Sequence, residues 1–136
     1  MNQYGLGVPR DYKTAVKWYT LAAEQGYTRA QFNLGEMYED GTGVPQNDKT
    51  AVKWYTLAAK QGSADAQGSL GAMYAFGRGR PKDYVEAYKW GSLAAANGNE
   101  RAASLSDMIS NMMTPTQVET AQDLARECVK KNYKGC

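Results

Sequence analysis

The carboxylates Glu36, Glu39 and Asp40 cluster at spacings of three and one. Such a group can hold a hard cation or run general acid–base chemistry if further oxygen ligands or a nucleophile complete it. The sequence supplies neither. It contains no His, which removes the commonest general base and the commonest metal ligand together. A solvated acidic rim that steers a basic partner fits the cluster better. No catalytic residue, metal or cofactor is expected.

Three Gly-x-Gly loops invite a phosphate-binding reading: Gly5–Pro9, Gly41–Pro45 and Gly77–Pro81, the last with Arg80 in place of Val. They lack a third glycine, a Lys-Ser/Thr pair and a preceding strand, so a structural turn is expected. Cys128 and Cys136 both fall in the last nine residues. That proximity suits a local disulfide closing a short terminal loop, hence an oxidising compartment; the alternative is two unrelated free thiols near a frayed end. The Trp and Tyr series suggests a stacking platform for sugars or bases. Its periodic placement on an Ala-rich stripe favours a core role.

Length and charge narrow the classes. The 136 residues make one domain of ordinary size, and the net charge of +2 is spread among mixed Lys, Arg, Asp and Glu. No basic stripe argues for nucleic acid. No apolar run approaches the roughly 20 residues of a membrane span.

The elements that must position these residues repeat every 36 positions. Gly5, Gly41 and Gly77 keep that interval, as do Trp18, Trp54 and Trp90, and Gly26, Gly62 and Gly98. Lys13–Ala23 returns letter for letter as Lys49–Ala59. A period of this size means stacked supersecondary units. Each unit reads as two helices. The first type covers Thr28–Glu39 and Ala64–Ala75, with stripes Ala30, Leu34, Tyr38 and Ala66, Leu70, Tyr74. Gly35 and Gly71 beside those stripes point to close approach of a neighbouring helix. The second type covers Asp11–Gln25, Asp48–Gln61 and Asp83–Asn97, with Trp54 and Leu57 widening the apolar stripe. Gly62 and Gly98 read as left-handed caps, and Asn47 or Asp48 as an N-cap. Lys13, Lys17, Lys49, Lys53 and Lys89 are expected on the solvated outer face.

After Gly98 the pattern decays. Glu100–Met112 keeps Ala102, Leu105, Ile109 and Met112 on one stripe but loses the Leu-Gly and Tyr positions. Thr114-Pro115-Thr116-Gln117 reads as an N-cap, a proline at the first helical position and a capping box. A final helix to about Lys131 carries Val118, Ala121, Leu124, Ala125 and Cys128 on one side and polar residues on the other, as a closing cap requires. The expected organisation is a partial first repeat (1–26), repeats at 27–62 and 63–98, a degenerate half-repeat (99–113), and a capping helix and tail (114–136).

The string Ala30-x-x-x-Leu34-Gly35-x-x-Tyr38-x-x-Gly41-x-Gly43-Val44, then Ala51-x-x-Trp54-Tyr55-x-x-Ala58-Ala59-x-x-Gly62, resembles the Sel1-like repeat, a relative of the tetratricopeptide repeat. The resemblance covers residues 1 to about 113, and the ending looks like the tail of many exported bacterial members. It implies an all-α, right-handed superhelix of antiparallel helix pairs whose concave face binds another protein. It also implies, with the cysteine pair, a periplasmic or secreted location in a bacterium, the cytoplasm being the alternative. Some cysteine-rich relatives are described as binding β-lactams or cell-wall fragments. They carry a cysteine pair in every repeat, which this chain lacks, so a cell-wall or β-lactam binding or hydrolysing role stands as the alternative function.

By analogy with tetratricopeptide arrays, the first helix of each pair lines the groove. The expected partner-binding residues are Tyr4, Arg29, Phe32, Glu36, Glu39, Asp40, Asp65, Ala72 and Phe76. Phe32, whose counterpart is Gly68, reads equally as a peptide anchor or as a filler of space left open in the next layer. Met1 falls where Met37 and Met73 sit inside a helix. The apolar side of the helix from Asp11 to Gln25 therefore lacks its usual neighbour, and that end is expected to pack on another copy of the chain or to fray.

Overall fold

Side-chain caps set the helix starts at the repeat interval. Asp11, Asn47 and Asp83 each accept from the backbone N–H three residues on, at Thr14, Thr50 and Glu86. Each removes one unpaired donor from a helix N-terminus, worth about 1 kcal/mol. Ser63 and Asn99 do the same for the intervening helices. Thr114 and Gln117 form the full capping box, with Pro115 in the first turn.

The computed structural model describes residues 11–136. Among these residues the elements are all helical: α1 (Tyr12–Glu24), α2 (Thr28–Asp40), α3 (Asp48–Ala59), α4 (Ala64–Phe76), α5 (Tyr84–Ala96), α6 (Glu100–Ser110) and α7 (Pro115–Lys130). Consecutive helices pack in pairs, and α7 lies against α5. Gly62 and Gly98 adopt φ of 93° and 103° after their helices, as expected of left-handed caps. The loop glycine Gly79 has φ 75°, and an added Cβ would come within 2.5 Å of the Asp48 carbonyl oxygen. The Gly-x-Gly loop after α4 is thus a turn pressed against the start of α3. Its first copy, Gly5–Pro9, lies outside the described residues.

The core runs along the stack. Ala51, Tyr55, Ala58, Ala66, Leu70, Met73, Ala87, Trp90 and Ile109 are buried in one cluster, and Val16, Ala23, Ala30, Leu34 and Trp54 in a second. Gly35 admits the Tyr55 ring, which lies 2.7 Å from where a Cβ would stand. In the next layer the Tyr55 position is Gly91, and Gly71 faces the Ala87 carbonyl and the Gly91 amide, each 3.2 Å from its Cβ position. Two buried glutamines also repeat. Gln31 donates to the Ala23 carbonyl and accepts from Gln61; Gln67 donates to the Ala59 carbonyl and accepts from Asn97. They satisfy backbone groups that helix ends leave open.

Several expectations are corrected. Trp18 is 66% exposed, because among the described residues no helix faces α1 as α2 faces α3. Leu57, at 41%, points out between layers and does not widen the core stripe. Met112 and Leu124 are also exposed, at 52% and 40%. Met112 turns off the Ala102–Ile109 stripe where α6 has already ended at Ser110. Lys89 is not on the outer face but 3% exposed. Its counterparts Lys17 and Lys53 remain exposed because α7 covers only α5. Cys128 and Cys136 are joined in a disulfide, which ties the tail to α7.

Candidate functional site

Helices α2, α4 and α6 present a groove of about 590 Å³. The unit interval brings equivalent positions side by side along it. Its walls include Phe32 and Glu36 from α2, Asp65, Gly68, Ser69 and Ala72 from α4, and Arg101, Ala102 and Leu105 from α6. The missing side chain at Gly68 opens the floor: a Cβ there would stand 2.6 Å from the Asn99 amide nitrogen. A second hollow of about 310 Å³ lies beside it, bounded by Tyr12, Tyr19, Asn33, Glu36, Met37, Asp40 and Thr42. Glu36 is therefore the ridge between the two. Loss of hydration there, reinforced by the neighbouring Asp40 carboxylate, pushes the Glu36 carboxyl above its ordinary range.

The expected residues fall in different places. Glu36, Asp65 and Ala72 line the groove. Asp40 borders the second hollow, and Phe76 stands 58% exposed at the end of α4. Arg29 crosses from α2 to Asp65 at 3.4 Å and lies 5.7 Å over the Phe32 ring. Both partners of that ion pair are well exposed, so it contributes little to stability. Phe32 is only 8% exposed and tilts against Tyr55 at 5.8 Å. It forms groove wall and layer packing together. Tyr4 lies outside the described residues.

Glu39 is engaged elsewhere. The Tyr55 hydroxyl donates to it at 2.5 Å and Arg78 at 2.9 Å, while Arg78 also reaches Asp48 at 3.1 Å. Burial, then the Glu39 carboxylate, pushes the Tyr55 hydroxyl far above its ordinary range. Desolvation pulls the Arg78 guanidinium down, but the Asp48 and Glu39 carboxylates together outweigh it and hold Arg78 above its ordinary range. This network joins α2, α3 and the loop after α4. It had a sequence signal in Arg78, which stands where the preceding repeat has Thr42.

The sequence pattern does not single out Met108, and it assigns Met112 to a buried stripe. Met108 and Met112 are 44% and 52% exposed, one interval beyond Ala72 and Phe76. Among the described residues no group of three or more His, Cys, Asp or Glu side chains is placed to hold a metal. No helix there is long and apolar enough to cross a membrane.

The Sel1 repeat model matches residues 1–27, 28–63 and 64–99. The chain belongs to the Sel1 repeat family. Its fold is similar to c5321, a protective antigen of uropathogenic Escherichia coli strains displaying an SLR fold, with a TM-score of 0.87, 31% identity and 93% of this chain covered. It is also similar to a Sel1 repeat protein of Oxalobacter formigenes, at a TM-score of 0.75, 36% identity and 95% coverage. The chain spans 28% and 60% of those two chains, respectively. No curated protein sequence matches it significantly. These likenesses make the stack a Sel1-type solenoid, the all-α superhelix expected from the repeat. Sel1 repeat proteins generally mediate protein–protein interaction and are typically non-catalytic scaffolds.

Proposed function

We propose that the chain is a non-enzymatic interaction module that holds a segment of another protein in the concave groove of α2, α4 and α6. The observation that carries this reading is a graded line of residues at equivalent positions, exposed except at half-buried Ala72. Glu36, Ala72 and Met108 form one row; Asp40, Phe76 and Met112 form the next. These two rows are acidic on α2 and apolar beyond it, while the groove walls also carry Asp65 on α4 and Glu100 and Arg101 on α6. Neither Glu36 nor Asp40 has an ion-pair partner among the described residues. A preformed groove of this kind selects a segment with basic groups beside aliphatic ones. The disulfide supports a location outside the bacterial cytoplasm.

The test uses a fluorescein-labelled peptide of alternating Lys and Leu, followed by anisotropy. Glu36→Lys with Phe76→Ser should weaken its binding on the order of tenfold, by charge reversal plus loss of one apolar contact. Circular dichroism should be unchanged, because both side chains are exposed. Equal binding by the variant would exclude this face.

A further inference from the structure

The outer face carries a third hollow, of about 490 Å³, between α3 and the loop after α4. Its floor is Val52, Thr56 and Leu57; its rim is Lys49, Lys53 and Arg80. None of the three cations is ion-paired with a carboxylate among the described residues. Lys53 lies over the Trp54 ring at 5.1 Å and Arg80 over the Tyr74 ring at 4.3 Å. Those ring contacts hold the charges beside the apolar floor without neutralising them. Arg80 replaces the Val44 of the preceding repeat, which is half-buried, so the third repeat sets a charge where the second sets a plug.

The helix part of this surface occurs twice, the second time without the Arg80 cation, whose place beside α1 is taken by Val44. Lys13, Lys17 and Leu21 on α1 are the counterparts of Lys49, Lys53 and Leu57, and all six are exposed. Across this interval the eleven residues of the second-type helix are identical, whereas α2 and α4 share only their Ala, Gln, Leu, Gly, Met and Tyr positions. Folding does not demand identity at exposed Lys and Leu, where substitutions move stability little. The third copy departs at Val85 and Tyr88, in place of Lys49 and Val52, and it is the copy that α7 covers.

That covered copy displays how the surface is satisfied. Leu93, equivalent to Leu57, falls to 3% exposure. Lys89, equivalent to Lys53, donates to Glu86 at 2.9 Å and to the Cys136 backbone oxygen at 3.0 Å. There α7 and the tail supply apolar cover (Ala125, Cys128, Tyr133) and one backbone oxygen, while the carboxylate is α5's own Glu86, whose counterpart in α3 is the neutral Thr50. We infer that the outer surface of α3, repeated on α1, docks a partner-protein segment in which acidic residues alternate with aliphatic ones. Its charge preference is opposite to that of the concave groove.

Nitrogen-15-labelled protein titrated with a peptide of alternating Glu and Leu tests this directly. The expected amide shifts fall on Lys49–Leu57 and Gly79, and Lys53→Glu with Leu57→Ser weakens binding on the order of tenfold. The Lys–Leu peptide should leave those amides unmoved. Absence of binding, shifts confined to Glu36 and Ala72, or undiminished binding by the variant would each overturn the inference. The concave reading is probed by the opposite peptide and by different side chains, so the two can fail separately.

Discussion

Removing the Glu86 carboxylate should cost much more than removing the ammonium it serves. The Lys89 side chain is only 4% exposed, whereas that of Glu86 is 24% exposed. Glu86→Ala leaves the Lys89 charge buried with only the Cys136 backbone oxygen at 3.0 Å and the Trp90 ring at 4.7 Å. Breaking a buried pair from one side typically costs about 3–5 kcal/mol. The two remaining contacts return part of that, about 0.5–1 kcal/mol each, which leaves about 2–3 kcal/mol. Lys89→Met keeps the apolar stem, and the Glu86 carboxylate it abandons can turn to water. Its cost should stay within about 1 kcal/mol. In urea, with a slope of about 1.5 kcal/mol per molar, Glu86→Ala lowers the unfolding midpoint by roughly 1.5 M and Lys89→Met by less than about 0.7 M. The double variant should resemble Lys89→Met, because the stranded charge is gone. A Lys89→Met cost equal to that of Glu86→Ala, or additivity of the two, would refute the reasoning.

Reducing the Cys128–Cys136 bridge frees the tail that brings Tyr133 to Asn97 and the Cys136 oxygen to Lys89. For its sequence separation of 8, loop-closure entropy puts the loss near 2.5 kcal/mol. Dithiothreitol should therefore lower the urea midpoint of the native chain but not that of Cys128→Ser with Cys136→Ser. Because the folded Glu36 carboxyl is raised above its ordinary 4.5, the folded state holds its proton at a pH where the unfolded chain has lost it. This group therefore stabilises the fold as pH falls into that window and loses the effect as pH rises through the folded value. Glu36→Gln should flatten that part of the stability profile; an unchanged profile would show that another group is responsible.

Much of the solenoid was legible because its determinants are local and repeated. The N-caps Asn47 and Asp83, the capping box at Thr114 and Gln117, and the close approaches at Gly35 and Gly71 depend on residues a fixed distance apart in sequence. Lys89 was not legible in that way. It has the same letter as Lys17 and Lys53, and only the placement of α7, more than 20 residues on, turns its surroundings from water to core. Leu57 and Leu93 make the same point in apolar form. A regular offset carried Glu36, Asp65 and Ala72 to the groove wall, and the same offset leads on from Ala72 and Phe76 to the exposed Met108 and Met112. Glu39 went elsewhere because Tyr55 and Arg78 capture it, and Arg78 comes from the following unit, 39 residues away.

Sameness and difference between the copies consequently carry separate information. Differences at layer junctions have packing causes. Gly68 opens the floor that Phe32 borders, Gly91 replaces Tyr55 where two backbones meet, and Arg78 replaces Thr42 to clamp Glu39 against Asp48. The differences at the equivalent positions Glu36, Ala72 and Met108 have no such cause. Sameness in the core needs no explanation beyond the repeat. Sameness at exposed Lys17 and Lys53, or at Leu21 and Leu57, is not accounted for by packing, because these side chains remain exposed and the covered copy has diverged beside them. A net charge of +2 conceals this arrangement. An acidic–apolar row on the inner helices and a basic–apolar row on the outer ones nearly cancel in the sum, so two faces of opposite local charge stand behind an almost neutral total.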